Sequence, residues 1–147
     1  MLDSVLRRGR TLDSAAQGER RLSQSDHALA IAIAGEVLRR LPDLDSLIDS
    51  ATRQRLPDDS KARMVLRIAL AQKIGLGTPE HALVATALPL VDGGPRRLVH
   101  GVLGTLLRRG LPESGFDLEN FERCEYPACV LAGHVVPSLP VHEAVNE

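Results

Sequence analysis

The stretch "PRRLVHGVLGTLLRR", residues 95–109, has the hydrophobic spacing of an amphipathic helix. Its apolar residues recur along one stripe, which we expect to be buried: Leu98, Val99, Val102, Leu103, Leu106 and Leu107. The opposite face carries two glycines between two arginines: Arg97, Gly101, Gly104 and Arg108. Because a glycine inside a helix costs about 1 kcal/mol relative to alanine, another backbone is expected to approach Gly101 and Gly104 closely. We favour a neighbouring helix as that backbone; the alternative is the backbone of an RNA.

Similar helical signals recur along residues 1–94 and predict an all-α protein. Two short helices are expected before Gly18, the second with Thr11 as its N-cap. A third is expected from Ser25 or Asp26 up to Pro42. Because residues 29–34 are apolar on every side, we expect this helix to lie buried at the centre of the bundle.

The next signals predict three more helices before the stretch at 95–109. Asp43 is expected to cap a helix that runs to Pro57, and Asp58 or Asp59 to cap one that ends at Gly75 and Gly77. A further helix starts at Pro79 and is expected to kink or end at Pro89. The sequence therefore predicts a bundle of six to seven helices with no convincing strand.

Charge divides the 147 residues into two regions. Residues 1–111 carry 17 Lys/Arg against 12 Asp/Glu, a net charge of +5, whereas residues 112–147 carry 1 against 7, a net charge of −6. We expect one helical domain over 1–111 and an acidic C-terminal tail over 112–147 with at most one short helix. All three aromatic residues lie in the tail, so a nucleic acid bound to the basic region would be held by its phosphates more than by its bases.

Motifs for enzymes and cofactors are missing from the chain. It contains no GxGxxG, Walker or HExxH motif, and we interpret "DGGP", residues 92–95, as a plain connection between helices, with binding of a phosphate ligand as the less favoured alternative. The tail holds four possible soft ligands whose spacing does not match a structural zinc site: Cys124, Cys129, His134 and His142. We therefore expect no metal, no cofactor and no catalytic residue. No apolar run is long enough for a membrane span or a signal peptide, which predicts a cytoplasmic protein.

Arginine is the residue type that best indicates a binding function. Five arginine doublets lie near predicted helix ends, where they can complement helix dipoles or hold a phosphate backbone. The residues that we predict to contact RNA are Arg7, Arg8, Arg10, Arg63, Arg67, Arg97 and Arg108.

Read in order, three segments resemble a NusB-like domain, and within that fold the N-terminal domain of the ribosomal RNA cytosine-5 methyltransferases of the RsmB (Sun/Fmu) type. The segments are "EVLRRLPDLDSLID" (36–49), "VLRIALAQKIGLGTPEHALVATALPLV" (65–91) and "LVHGVLGTLLRR" (98–109). The matching residues of the second segment are Leu66, Arg67, Gln72, Pro79, His81 and Ala82. Two positions depart from that family's pattern, because His100 replaces its usual asparagine and Gly104 its usual arginine.

The resemblance implies an RNA-binding module of the ribosomal RNA or transcription-antitermination type. It also implies no methyltransferase activity for the chain as given, since no S-adenosylmethionine domain follows residue 111. The chain is then either the N-terminal part of such a methyltransferase or a free-standing relative. The alternative is a protein-interaction or dimerisation module that does not bind RNA.

Overall fold

The structure, a computed structural model, describes residues 1–19 and 21–111. These residues form seven α-helices and one 3-10 turn, and none of them lies in a strand. The helices are α1 (Leu2–Leu6), α2 (Leu12–Gln17), α3 (Gln24–Arg39), α4 (Leu41–Ser50), α5 (Lys61–Leu76), α6 (Glu80–Ala87) and α7 (Gly93–Arg109), with the 3-10 turn at Leu88–Leu90. The predicted all-α bundle is confirmed. The tail and its predicted short helix lie outside the described residues.

Several helix ends follow the predicted local chemistry. The hydroxyl of Thr11 caps α2 by accepting a hydrogen bond from the Ser14 amide at 3.2 Å. Gly77 ends α5 in the left-handed conformation with φ +65°. Pro89 ends α6, because the chain passes into the 3-10 turn from Leu88 onward.

Helix α5, and not α3, occupies the centre of the bundle. It packs against α3, α4, α6 and α7, and its buried residues lie on most of its circumference. The prediction that α3 is buried all round was wrong, since Leu29 is 52% exposed and Ala28 and Ala32 are also exposed. Because residues 29–34 of α3 are apolar on every side, the sequence did not indicate which side would pack against another helix.

Helix α4 is shorter than the sequence predicted. It begins at Leu41 with Pro42 in its first turn, where a proline loses no hydrogen bond, so Asp43 is not the cap. It ends at Ser50 instead of continuing to Pro57, and the Ser50 hydroxyl donates to the carbonyl of Leu47 at 2.6 Å. Residues 51–60 form a connection, and Ser60 rather than Asp58 or Asp59 caps α5.

The predicted apolar stripe of α7 faces the core. Val99, Val102, Leu103 and Leu106 are buried, and Leu98 and Leu107 pack against the core from its edge. This packing holds α7 against α5 and leaves its other side toward solvent.

Close approach to a glycine does occur, at Gly75 in α5. A Cβ placed on Gly75 would lie 2.7 Å from Cγ of Glu36 in α3 and 2.5 Å from its Oε2. The Glu36 carboxylate is held in place by Arg39 and by Arg40, whose Nε lies 2.8 Å from Oε2. The absence of a side chain at Gly75 therefore allows α3 and α5 to pack with an ion-paired glutamate between them.

We predict that Gly75→Ala destabilises the protein although alanine favours helices. The added methyl group would displace the Glu36 side chain from its arginines, at a cost of about 1–3 kcal/mol, as for other overpacked sites. The matched control is Gly101→Ala in α7, where a Cβ would meet nothing within 4 Å, so we expect a gain of up to about 1 kcal/mol. Urea unfolding of both variants measures the difference, and equal changes in stability would contradict the close packing at Gly75.

Candidate nucleic-acid interface

Two of the predicted RNA contacts, Arg63 and Arg67, lie in the protein interior. They are 0% and 3% exposed. Both are one helical turn apart on α5, on the side that packs against α4. Their guanidinium groups therefore have to find hydrogen-bond acceptors inside the protein.

Every guanidinium nitrogen of Arg63 has an acceptor. Its Nη1 donates to Oδ1 of Asp45 at 3.0 Å, and its Nη2 donates to Oδ1 of Asp49 at 2.5 Å. Its Nε donates to the carbonyl of Leu56 at 3.0 Å. Arg63 thus joins α5 to α4 and to the connection between them.

Arg67 binds the same buried carboxylate with two hydrogen bonds. Its Nε lies 2.8 Å from Oδ1 of Asp45 and its Nη2 lies 2.9 Å from Oδ2, while Nη1 donates to the carbonyl of Asp58 at 3.4 Å. Among the described residues no buried side-chain nitrogen or oxygen lacks a partner. We call Asp45, Asp49, Arg63 and Arg67 the buried ion-pair network.

Electrostatics favour the charged form of the Arg63 guanidinium. Burial by itself lowers the pKa of Arg63, but the hydrogen bonds that Arg63 donates to Asp49 and Asp45, together with the negative charges of these carboxylates, outweigh it and raise that pKa above its ordinary value. At the edge of the network, the hydrogen bond to Arg55 is the main cause that lowers the pKa of the Asp58 carboxyl. Because Arg63 and Arg67 are turned inward and fully engaged, we correct the prediction that they contact RNA.

Asp45 and Asp49 were missed by the sequence analysis, although a signal for them was present. Both lie one turn apart on α4, and Asp45 falls within its apolar stripe beside Leu44 and Ile48. A carboxylate in a buried stripe needs a cation, and two arginines at the same spacing follow on the next helix.

Of the three N-terminal arginines, Arg7 is hydrogen-bonded within the protein, whereas Arg8 and Arg10 point to solvent. The guanidinium of Arg7 donates to the carbonyl of Asp59, and its Nε lies 3.1 Å from the Asp3 carboxylate. Arg8 and Arg10 are exposed and have no side-chain partner within residues 1–19 and 21–111. Arg8 and Arg10 are therefore the side chains of this group best placed to reach a phosphate.

The glycine face of α7 is open, which corrects our preferred explanation of it. No atom lies within 4 Å of a Cβ built on Gly101, and only the guanidinium of Arg108, at 3.7 Å, comes near one on Gly104. No helix of the described part of the chain packs there, because α7 uses its opposite side for the core. Arg97 and Arg108 are exposed at the two ends of the glycine face. Neither has a side-chain partner in the described part of the chain.

A cleft of about 480 Å³ opens where the 3-10 turn meets the start of α7. It is lined by Leu88, Gly93, Arg96, Arg97 and His100, so three of its five residues bear basic side chains and none bears a carboxylate. Asp92, which precedes α7, is exposed and does not line it. The cleft is continuous along α7 with the open glycine face through Arg97.

Within the described ranges no cluster of three or more His, Cys, Asp or Glu residues is arranged to hold a metal ion. The four candidate ligands of the tail lie outside these ranges. None of the described helices is both long enough and apolar enough to cross a membrane.

Residues 1–108 match the NusB family, which covers the whole helical bundle described above apart from its last residues. The chain belongs to the NusB family. Comparison with curated proteins and with solved structures gave no match in either case. Family membership supports an RNA-binding helical module of the transcription-antitermination type.

We predict that Asp45→Asn destabilises the domain by about 3–5 kcal/mol, because it leaves two buried guanidinium groups without their shared carboxylate. Asp59→Asn is the matched control: it removes the same charge from an exposed side chain, and we expect a change within about 0.5 kcal/mol. Chemical unfolding followed by circular dichroism measures both. A small effect at Asp45 would show that the network does not hold α4 on α5.

Proposed function

We propose that this chain is a non-catalytic module that binds a structured RNA through its phosphates, with ribosomal RNA as the first candidate. The observation that carries the proposal is the NusB-family match over residues 1–108. It is supported by the net charge of +5 on residues 1–111 and by the lack of any Phe, Tyr or Trp there on which bases would stack. Such a protein would act in the cytoplasm.

The proposed contacts are the outward arginines. Arg8 and Arg10 lie on the N-terminal segment, which Arg7 ties to the carbonyl of Asp59. Arg97 and Arg108 flank the open glycine face of α7, where the missing side chains let a backbone approach the helix. The second explanation of Gly101 and Gly104, close approach of RNA, thus becomes the one we propose.

A relation to the N-terminal domains of the RsmB-type methyltransferases is a finer proposal that rests on the sequence resemblance alone. Of the matching residues, Arg67 binds Asp45, and Gln72 donates to the carbonyl of Ile68 within α5. Both act inside the bundle. At these two positions the resemblance therefore concerns how the domain is built.

We expect the full chain to bind a ribosomal RNA hairpin with micromolar or tighter affinity, and to bind a DNA duplex of equal length more weakly. Affinity should fall between about 50 and 200 mM salt because phosphate contacts release counterions. Fluorescence anisotropy measures both. The double variant Arg8→Gln/Arg10→Gln should weaken binding to all RNA sequences and lower the salt slope by about two.

The control is Arg39→Gln, which removes one charge from an exposed arginine already paired with Glu36 and should leave RNA binding unchanged. Absence of RNA binding by the wild-type chain at low salt would overturn the proposed function.

Exposed apolar surface on α3 favours protein interaction as a second candidate function. Leu29 is 52% exposed and Leu22, just before the helix, is 44% exposed. On α3, Leu29 together with Ala28 and Ala32 forms an exposed apolar face that no described element covers. A partner protein or a second copy of this chain would bury it.

We predict that Leu29→Gln leaves folding intact but abolishes any self-association of the chain. Sedimentation velocity over a range of concentrations measures this. A wild-type chain that stays monomeric, and that captures no partner dependent on Leu29, would remove this candidate.

A further inference from the structure

We propose that the cleft at the start of α7 is a nucleotide-binding subsite, in which Arg96 and Arg97 hold a phosphate and His100 lies beside them. This inference rests on the proposed function and extends it, because Arg96 and His100 were not among the residues predicted to contact RNA. The ligand is a phosphate-bearing nucleotide unit, presented by an RNA strand or as a free nucleotide.

Helix geometry places the three basic side chains on one side of α7. At 100° per residue, Arg96 and Arg97 lie 100° apart, and His100 projects between them one turn later. Gly93 lies below His100 on the same side and contributes no side chain to the cleft. Arg96, Arg97 and His100 therefore offer hydrogen-bond donors to a ligand in one cleft.

Charge in the cleft is unbalanced. None of the residues that line it is acidic, and none of Arg96, Arg97 and His100 has a side-chain hydrogen bond or ion pair within the described residues. The buried arginines of this chain, by contrast, use every guanidinium nitrogen. Two adjacent cations repel each other, and an anion bound between them relieves that repulsion.

The size and the apolar wall of the cleft suit more than an inorganic anion. A volume of about 480 Å³ falls in the range of small-molecule sites. Leu88, partly buried against the core, supplies an apolar surface on the side of the 3-10 turn. A ribose or a base can lie against it while the phosphate is held by the arginines.

The position of the cleft favours a polymer as the source of that nucleotide. Arg97 belongs both to the cleft and to the open glycine face that leads to Arg108, about 16 Å further along the helix axis. A single nucleotide cannot contact both ends of this surface, but a strand can follow it over Gly101 and Gly104.

The test compares Arg96→Gln and His100→Gln with Arg39→Gln in the full chain, using anisotropy with the RNA hairpin at several salt concentrations. We expect Arg96→Gln to weaken RNA binding about tenfold and to lower the salt slope by about one. His100→Gln should weaken binding with a smaller change in slope. Arg39→Gln should do neither, and urea unfolding should show that all three variants are folded.

A second measurement separates the two sources of the nucleotide. Adenosine 5′-monophosphate, adenosine and inorganic phosphate are titrated into the ¹⁵N-labelled wild-type chain, and the NMR signals of His100 and its neighbours are followed. Shifts with the monophosphate at millimolar concentration that Arg96→Gln abolishes support the subsite, and RNA binding that Arg96→Gln weakens identifies RNA as its source. Saturation at micromolar concentration identifies a free nucleotide instead.

The outcomes distinguish this inference from the proposed function. If Arg8→Gln/Arg10→Gln loses RNA binding while Arg96→Gln and His100→Gln keep it, the subsite is overturned and the RNA-binding function stands. If the wild-type chain does not bind RNA and His100 is unaffected by the monophosphate, both are overturned. If it does not bind RNA but shows the Arg96-dependent shifts, the subsite stands as a free-nucleotide site and the RNA function does not.

Discussion

The shared use of the Asp45 carboxylate by Arg63 and Arg67 is the interaction on which the rest of this structure depends. It joins α4 to α5, the helix that packs against four others, and the same two arginines fix the connection between α4 and α5 through the carbonyls of Leu56 and Asp58. Burying such charges has a large desolvation cost, so the network adds little folding stability over a well-packed apolar core. Removing one member is nevertheless strongly destabilising, because it leaves a buried charge without its partner. What it adds is directionality, because a bidentate pair accepts only one relative placement of the two helices.

That constraint reaches the proposed interface along the chain. The connection held by Arg63 and Arg67 presents the carbonyl of Asp59 to Arg7, and Arg7 in turn steadies the segment that bears Arg8 and Arg10. In α7, the buried stripe fixes which face of the helix meets solvent, and so the side on which Arg97, His100 and Arg108 lie. Inward arginines organise the fold, and the outward arginines are the side chains that we propose to bind RNA. Both groups come from one residue type, and packing decides which role each takes.

Helical periodicity was enough to predict the fold class, the stripe of α7 and the end of α6 at Pro89, because each follows from local geometry. Periodicity did not predict which whole faces of the helices would be buried. Residues 29–34 are apolar all round, yet Leu29 and Ala32 are exposed while Ala34 is buried, because α3 packs most extensively against α5, a helix distant in sequence. Arg63 and Arg67 show the same limit, since an arginine at the edge of a stripe has the same local pattern whether it faces water or a carboxylate. The paired acids Asp45 and Asp49 on the preceding helix were the available signal. The glycines of α7 indicated close approach, but the sequence alone could not distinguish a helix from a ligand.

The measurement that tests this division of arginines most directly is an NMR titration of the ¹⁵N-labelled chain with a ribosomal RNA hairpin, following the side-chain Nε–Hε signals of all arginines. The account predicts that the signals of outward arginines such as Arg8, Arg10 and Arg97 shift as RNA is added. Those of Arg63 and Arg67 should stay in place, protected from solvent exchange by their carboxylates and carbonyls. A complex in which Arg63 and Arg67 shift while the outward arginines do not would contradict it.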